Sequence, residues 1–457
     1  MVQHELLLFA AIFFLVGALD DFAVDLAWLW LRLTGRGRDH VLGGDVDHFA
    51  PLAGRAAVFI PAWDEAAVIG TTVRHLLATW PHHDLTLYVG CYANDPATIA
   101  AAHAAADGDT RLRIVVHGRA GPTTKADCLN RLTRALEEDE RRSGARARMV
   151  VLHDAEDMVD PAALTVLDRA LGAADLVQLP VLALPQRWSR WIGGHYTDEF
   201  AEQHGKALVV RDALGTGVPL AGVGCGIART ALDRLAALRG GAEPFASDSL
   251  TEDYEFGLLV AASGGRTRFL RARTAEGRLI ATRAYFPAQL KQAVRQKTRW
   301  VHGIAFQGWA RLGWRAHGGD MWMRLRDRRG PFTALVLAAA YLLLALSGLS
   351  WGIVQAGLAP PPVVAPLLEG ILWITFASLT WRMAMRCIFT TREHGLAEGL
   401  RSIPRIVISN IVAIMAGRRA LAAYVRSLGG AHPQWDKTAH LDHPAAADPP
   451  ALADKAA

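Results

Sequence analysis

Two carboxylates, Asp154 and Glu156, stand two residues apart in His153-Asp-Ala-Glu-Asp157, directly after the apolar run Met149-Val-Val-Leu152. On an extended backbone such residues point the same way, so the pair can share one hard cation through oxygen ligands. A cation held there would sit on an anionic group, a diphosphate above all. The competing reading is an acidic turn followed by a helix cap, with Asp157 as the cap. Glu252 and Asp253 follow Thr251 where a helical pattern begins, and a helix N-terminus can hold a carboxylate facing a site, although first-turn acids are also ordinary. Lys125 opens another helix, a position the dipole disfavours for a cation, which gives a functional role some weight.

A nucleotide-diphosphate sugar would use these groups together. Asp64 or Glu65, and Asp95, could hydrogen-bond base and ribose, with Lys125 reaching the diphosphate. Asp154 and Glu156 would hold Mg²⁺ or Mn²⁺ against the charge building on the leaving group. Sugar transfer also needs a base for the acceptor hydroxyl, and Asp253, beside Glu252, suits that task. Trp300 could stack on an acceptor sugar and Arg299 could meet phosphate oxygens, with Gln296 on the Trp300 face of the same helix. Gly224 and Cys225, in the run Gly222-Val-Gly-Cys-Gly226, would let backbone approach something bulky. For Asp95 the alternative is a turn residue before proline; for Trp300 it is a membrane-interface anchor.

The elements that must position these residues alternate between about Arg55 and Arg283, the signature of an α/β domain with a mostly parallel sheet. Strands are expected at Ala56–Ile60, Leu85–Gly90, Leu112–Val116 and Met149–Leu152. Each ends in polar residues on its carboxyl side, where open parallel sheets bind ligands. A helix is expected over about Tyr196 to Leu214, another from Thr251, capped by Thr251 or Ser249, and a long one after Pro287.

The chain has 457 residues and a mean hydropathy of +0.17, unusual for a protein wholly in water. Leu6–Leu31 is apolar except for Asp20, Asp21 and Asp25, and Arg32, Arg36 and Arg38 follow it, which puts the next domain in the cytoplasm. Asp21 and Asp25, one turn apart, are expected to pair with other helices. Phe332–Leu358 and Val363–Trp381 read as two further spans joined by a Pro-rich turn at Ala359–Pro362. Residues 406–417 are too short to cross, so 400–428 reads as an interfacial or third C-terminal membrane helix. The chain thus divides into an N-terminal span (1–35), the α/β domain (50–310), a basic interface segment (311–330), two spans (331–392), the 400–428 helix and a polar tail (429–457). In that tail only Gln434-Trp-Asp-Lys-Thr438 stands out, as a patch that could fold back over the nucleotide. Four scattered cysteines with no CxxC argue against a zinc site or a disulfide framework and read as free thiols, and no basic stripe interleaved with aromatics points to nucleic acid.

From Arg55 to Trp309 the order of motifs resembles the family 2 glycosyltransferases. The matching pieces are Pro61-Ala-Trp-Asp-Glu65, Asp95, Lys125-Ala-Asp-Cys-Leu-Asn130, Asp154-Ala-Glu156, Thr251-Glu-Asp253 and the QxxRW pattern Gln296-Lys-Thr-Arg-Trp300. In detail the chain is similar to the bacteriophage adsorption protein B group of membrane glycosyltransferases, through Asn94-Asp-Pro-Ala-Thr98, His153–Asp157 and Trp435-Asp-Lys-Thr438. The resemblance implies a Rossmann-like GT-A domain inserted between transmembrane helices, an inverting transfer, a divalent metal and a nucleotide-sugar donor, with UDP favoured. It also implies a saccharide or lipid-linked acceptor, a role in an envelope or secreted polysaccharide, export subunits as candidate partners, and the bacterial inner membrane with the catalytic domain cytoplasmic. Asp154-Ala-Glu156 departs from the usual Asp-x-Asp. Other readings are single sugar addition to a lipid and a catalytically silent envelope component.

Overall fold

The computed structural model describes residues 2–43, 50–241, 243–314, 317–360, 364–429 and 443–445. Helix α1 (Val2–Leu33) and the short strand β1 (His40–Val41) lead into β2 (Ala56–Pro61), α2 (Ile69–Thr79), β3 (Leu85–Tyr92), α3 (Pro96–Ala106), β4 (Leu112–His117), α4 (Lys125–Ser143), β5 (Met149–Leu152) and α5 (Ala163–Ala170). Then follow β6 (Leu176–Gln178), β7 (Val181–Ala183), α6 (Ile192–Glu202), α7 (Leu208–Ala213), β8 (Cys225–Ala228), α8 (Arg229–Leu238), α9 (Glu252–Ala262), β9 (Thr267–Phe269), β10 (Ala272–Arg273) and β11 (Thr282–Ala284). The chain closes through α10 (Leu290–Val301), α11 (Gly308–Leu312), α12 (Gly318–Arg328), α13 (Gly330–Gln355), α14 (Pro366–His394) and α15 (Leu396–Leu428). The helix expected over 196–214 is α6 and α7 joined by a π-helical stretch, Gln203–Ala207.

Seven strands form one sheet in the order β4-β3-β2-β5-β8-β6-β9. Strand β2 explains its centre: side chains alternate between faces, and both faces here are apolar. Ala56, Val58 and Ile60 enter a core shared with α2, α3 and α5, while Ala57 and Phe59 enter a second core under α4, α8 and α9. Burying a side chain the size of Phe59 contributes about 1.5–3 kcal/mol.

Neighbouring strands are parallel except at β8, which runs antiparallel to β5 and β6. That reversal matters for the site. Cys225 at the start of β8 pairs with Leu152 at the end of β5, so the loop Gly222–Gly224 arrives at the edge where β2, β3 and β5 end.

Among the described residues, three helices are long and apolar enough to cross a membrane: Gln3–Leu33, Gly330–Gln355 and Leu396–Leu428. The short apolar stretch 406–417 is therefore part of a 33-residue helix. The second C-terminal span expected at 363–381 falls on α14, which is less apolar and carries Glu369, Arg382, Arg386 and Arg392. Asp25 accepts hydrogen bonds from Lys206 Nζ (2.5 Å) and Trp381 Nε1 (2.8 Å). Asp21 pairs with Arg326 (3.0 Å), Arg329 (2.6 Å) and Arg382, and Asp20 with Arg326 and Arg329. The acids of α1 thus tie it to α12, α14 and the π-helical stretch, as carboxylates in an apolar helix must find partners. The Trp435–Thr438 patch and Pro361–Pro362 lie outside the described residues.

Candidate active site

Around Asp154 the backbone is not extended. Strand β5 stops at Leu152, and Ala155 and Glu156 lie in a turn. The Asp157 carboxylate fixes that turn, accepting from the Asp154 N–H (2.9 Å) and lying 2.9 Å from His153 Nδ1. The expected same-side pairing of Asp154 and Glu156 thus loses its basis, because a turn rather than a pleat separates them. Asp157 does not cap the next helix, which begins at Ala163; it closes its own loop.

Asp154 meets Lys125 instead. Lys125 is the first residue of α4, whose N-cap Thr124 accepts from the Asp127 N–H. The Lys125 ammonium lies 2.5 Å from Asp154 Oδ1 and 3.5 Å from the Gly222 carbonyl oxygen. Burial alone would lower its pKa, but Asp154, Glu252 and Asp253 outweigh burial and raise it. So one cation sits among carboxylates from the end of β5 and the start of α9.

Glu252 and Asp253 occupy the first turn of α9, but Thr251 stands at the N-cap without a side-chain cap bond. Its N–H instead reaches Ser249 Oγ at 3.3 Å. Burial first, then the neighbouring Asp253 carboxylate, pushes Glu252 up to about 7, with Lys125 acting against both. Asp253 is raised by burial as well, with Lys125 and Arg299 pulling it back. Gly222 makes room for this cluster. Its φ is +78°, and a Cβ there would lie 2.4 Å from Asp253 Oδ2 and 3.2 Å from Lys125 Nζ.

At the ends of β2 and β3 lies a second group. Asp95 caps α3 through the Thr98 N–H (3.3 Å) and also accepts the Asp64 N–H at 2.6 Å. Asp64 has φ +55° and an exposed side chain, whereas Glu65 is buried. A positive φ at a residue other than glycine is a local backbone strain, of the kind that clusters at functional sites. Trp63 packs edge-on to Tyr92 at 5.2 Å, and a Cβ at Gly121 would lie 2.4 Å from the Trp63 ring. Asn94 and Gly121 exchange two hydrogen bonds, at 2.7 and 2.8 Å. Together these form an aromatic wall beside Asp64 and Asp95.

The third group lies on α10. Gln296 Oε1 and Arg299 Nε are buried with no hydrogen-bond partner among the described residues. Trp300 packs against Tyr196 and Phe200 of α6, and Lys297, paired with Glu199 at 2.5 Å, lies 4.9 Å from the Trp300 ring centre. One face of the expected sugar platform is thus taken by a cation. Gly224 and Cys225 are given to the sheet. A Cβ at Gly224 would lie 2.2 Å from Thr282 Oγ1, and the Cys225 side chain is fully buried, its thiol pushed up to about 12 by burial. Neither offers a side-chain surface to an acceptor.

Among the described residues no three His, Cys, Asp or Glu side chains converge on a metal position. Asp154 nonetheless already holds a cation, the Lys125 ammonium. One or two carboxylates completed by substrate phosphates is how Mg²⁺ is commonly bound, and the residues present fit that class and not an all-protein cage.

A family model described as glycosyltransferase like family 2 matches residues 53–303, more than half of the chain. The chain belongs to that family. This family 2 chain is 33% identical over 464 residues to bacteriophage adsorption protein B of Escherichia coli (strain K12), a match covering 94% of the chain and 61% of the relative. It is equally similar, at 33% over the same shares, to bacteriophage N4 adsorption protein B of Escherichia coli O157:H7. The chain therefore spans about 61% of the length of these relatives. Among solved structures, the mannosyltransferase PcManGT from Pyrobaculum calidifontis, in complex with GDP-Man and Mn²⁺, aligns with a TM-score of 0.54 at 15% identity. The alignment covers 89% of this chain and 99% of that one, so the likeness of fold extends beyond the sheet into the helices around it.

Residues that sequence reasoning missed include Gly121, Tyr92, Lys297 and Gly222. The glycine-rich run signalled Gly222, but only the approach of α9 singles it out.

Proposed function

We propose that this glycosyltransferase is a membrane-embedded inverting enzyme that transfers a sugar from a nucleotide sugar, with UDP favoured, to a growing envelope or secreted polysaccharide. The observation that carries the reading is the convergence of Lys125, Asp154, Glu252, Asp253 and Gly222 at one sheet edge, with the Arg299 charge near enough to pull both α9 carboxyls down. Asp64, Asp95 and the Trp63–Tyr92 wall would hold the nucleoside, with Glu65 buried behind them. Lys125 and Arg299 would bind the diphosphate. Asp253 would accept the proton of the acceptor hydroxyl as its oxygen attacks the anomeric carbon and the bond to the diphosphate breaks. A single displacement of this kind inverts the anomeric centre. Bound at Asp154, with Glu156 as a second candidate ligand, Mg²⁺ or Mn²⁺ would neutralise charge on the leaving diphosphate. Gln296 and the free part of Trp300 would orient the acceptor.

The setting supports a membrane-bound enzyme whose catalytic domain lies on the cytoplasmic side of the bacterial inner membrane. Arg326 and Arg329 precede α13 and Arg32, Arg36 and Arg38 follow α1, in accord with the positive-inside rule. A second reading, single addition to a lipid-linked acceptor, is favoured by α15. That helix exposes Leu400, Ile403, Val407 and Ile411, while its other face packs through Val412, Ile408 and Met415 into the cluster holding Tyr196 and Trp300. Export subunits remain candidate partners for a polymer.

The test offers purified protein a panel of UDP- and GDP-sugars with Mg²⁺ or Mn²⁺, beside Asp253→Asn. Wild type should release nucleotide, and the variant should still bind nucleotide but turn over at least ~10²-fold more slowly. Equal rates would remove Asp253 as the base, and product length would separate polymer from single addition.

A further inference from the structure

Away from the catalytic edge, a cavity of about 730 Å³ opens between the end of α1, the end of α7, the loop after α9 and strand β9. Its size lies within the range of small-molecule sites. Of its arginines, Arg268 pairs with Asp212 (2.8 Å) and Arg271 with Asp39 (3.0 Å). Arg36, Arg38 and Arg266 line the same cavity with no ionic partner among the described residues. Against them stands one further carboxylate, Asp320, whose Oδ1 accepts the Gly217 N–H at 2.8 Å. A concave surface with three uncompensated guanidinium groups is suited to phosphate oxygens, which arginine meets in paired hydrogen bonds.

Its position narrows the source. Leu19, Phe22, Leu26, Trp30 and Leu33 are exposed at helical spacing along α1, so the apolar stripe runs to the last residue of the helix. Arg36 and Arg38 follow directly, at the level where anionic headgroups lie if the stripe faces lipid. The cavity is also distinct from the catalytic cluster. Ala261, Gly264 and Gly265 line it at the C-terminal end of α9, about 16 Å at ~1.5 Å per residue from the Glu252 end.

We propose that this cavity binds a phosphate group through Arg36, Arg38 and Arg266, the headgroup of an anionic phospholipid being the source its position favours. Binding there does not depend on the catalytic reading of Asp253. The experiment titrates the full chain in detergent with two probes, inorganic phosphate and short-chain phosphatidylglycerol in mixed micelles, with phosphatidylcholine as the zwitterionic control. Saturable binding of phosphatidylglycerol but not of the control, weakened at least tenfold in R36Q/R38Q/R266Q, supports a lipid headgroup. Saturable binding of inorganic phosphate, lost in the same variant, supports the site with a soluble ligand. Nucleotide affinity should stay unchanged in the variant, which reports its fold. If the triple variant does not fold, Arg266→Gln alone, at an exposed loop position, should weaken the same binding at least threefold. No saturable binding of either probe, or binding unchanged by these substitutions, overturns the proposal.

Discussion

Glu252 and Asp253 are adjacent, and a residue far away in sequence bears on the charge of both. Burial raises both carboxyls, and Lys125 opposes the rise. A general base works deprotonated, so activity should climb with pH through the region where the pair loses its proton, near the value of about 7 for Glu252. Lys125→Gln removes the opposing cation and should move that acidic limb to higher pH, read from nucleotide release across pH; an unmoved limb would mean that Lys125 does not set the pair. Gly222→Ala tests the space beside Asp253. With φ at +78° and a Cβ 2.4 Å from Asp253 Oδ2, the substitution should cost about 1 kcal/mol or more of stability. It should also lower kcat/KM at least ~10-fold by displacing the carboxylate. Comparing the thermal midpoint with the kinetics separates the two effects.

Among the elements, α1 is held by charge as well as by apolar packing. Asp25 and Lys206 have side chains only 2% and 9% exposed, and removing one partner of such a pair leaves a buried charge. Asp25→Ala should therefore destabilise the detergent-solubilised protein by about 3 kcal/mol, because breaking a buried pair costs about 3–5 kcal/mol and Glu202 remains beside Lys206. The thermal midpoint measures it; a shift within error would mean that Glu202 alone satisfies the lysine. At the catalytic edge, strand β8 does what no single motif announces. By running against β5 it returns Gly222–Gly224 to the edge that bears Asp154, and so lets α9 approach Lys125.

For the molecule as a whole, α15 is the helix that packs against α6, α10, α13 and α14 together. Near its start, Gly399 packs against Thr391 and Cys387 at the end of α14, and further along Gly417 packs against Ala334 at the start of α13. If α13 and α14 cross in opposite directions, those two ends lie on the same side. Helix α15 would then run along the membrane surface despite having the length to cross. Nitroxide labels at Leu400 and Val425, both exposed, should report equal depth from one face of a bilayer. Labels at opposite faces, some 38 Å apart at ~1.5 Å per residue, would make α15 a span.

The strands β2 to β5 and the polar residues at their ends were legible because apolar runs of strand length followed by turn residues leave few alternatives. The helix start at Lys125, the acids of α9 and the pairing of Asp21 and Asp25 were legible for the same kind of local reason: charge beside a helix terminus or inside an apolar helix must be satisfied. What local pattern could not reveal depended on contacts between distant segments. Asp154 and Glu156 read as a pair only while their backbone was taken as extended, and the buried Asp157 carboxylate bends it. Gly224 and Gly222 look alike in the chain, but one faces Thr282 and the other Asp253, a difference made by where β11 and α9 dock. The amino-acid order alone singled out the candidate residues for sugar transfer and the strand ends near which several of them lie. Only the tertiary structure decided which of them share a charge cluster, because that depends on the antiparallel strand β8, which returns Gly222 to this edge, and on Lys125 at the start of α4, which lies among three acids.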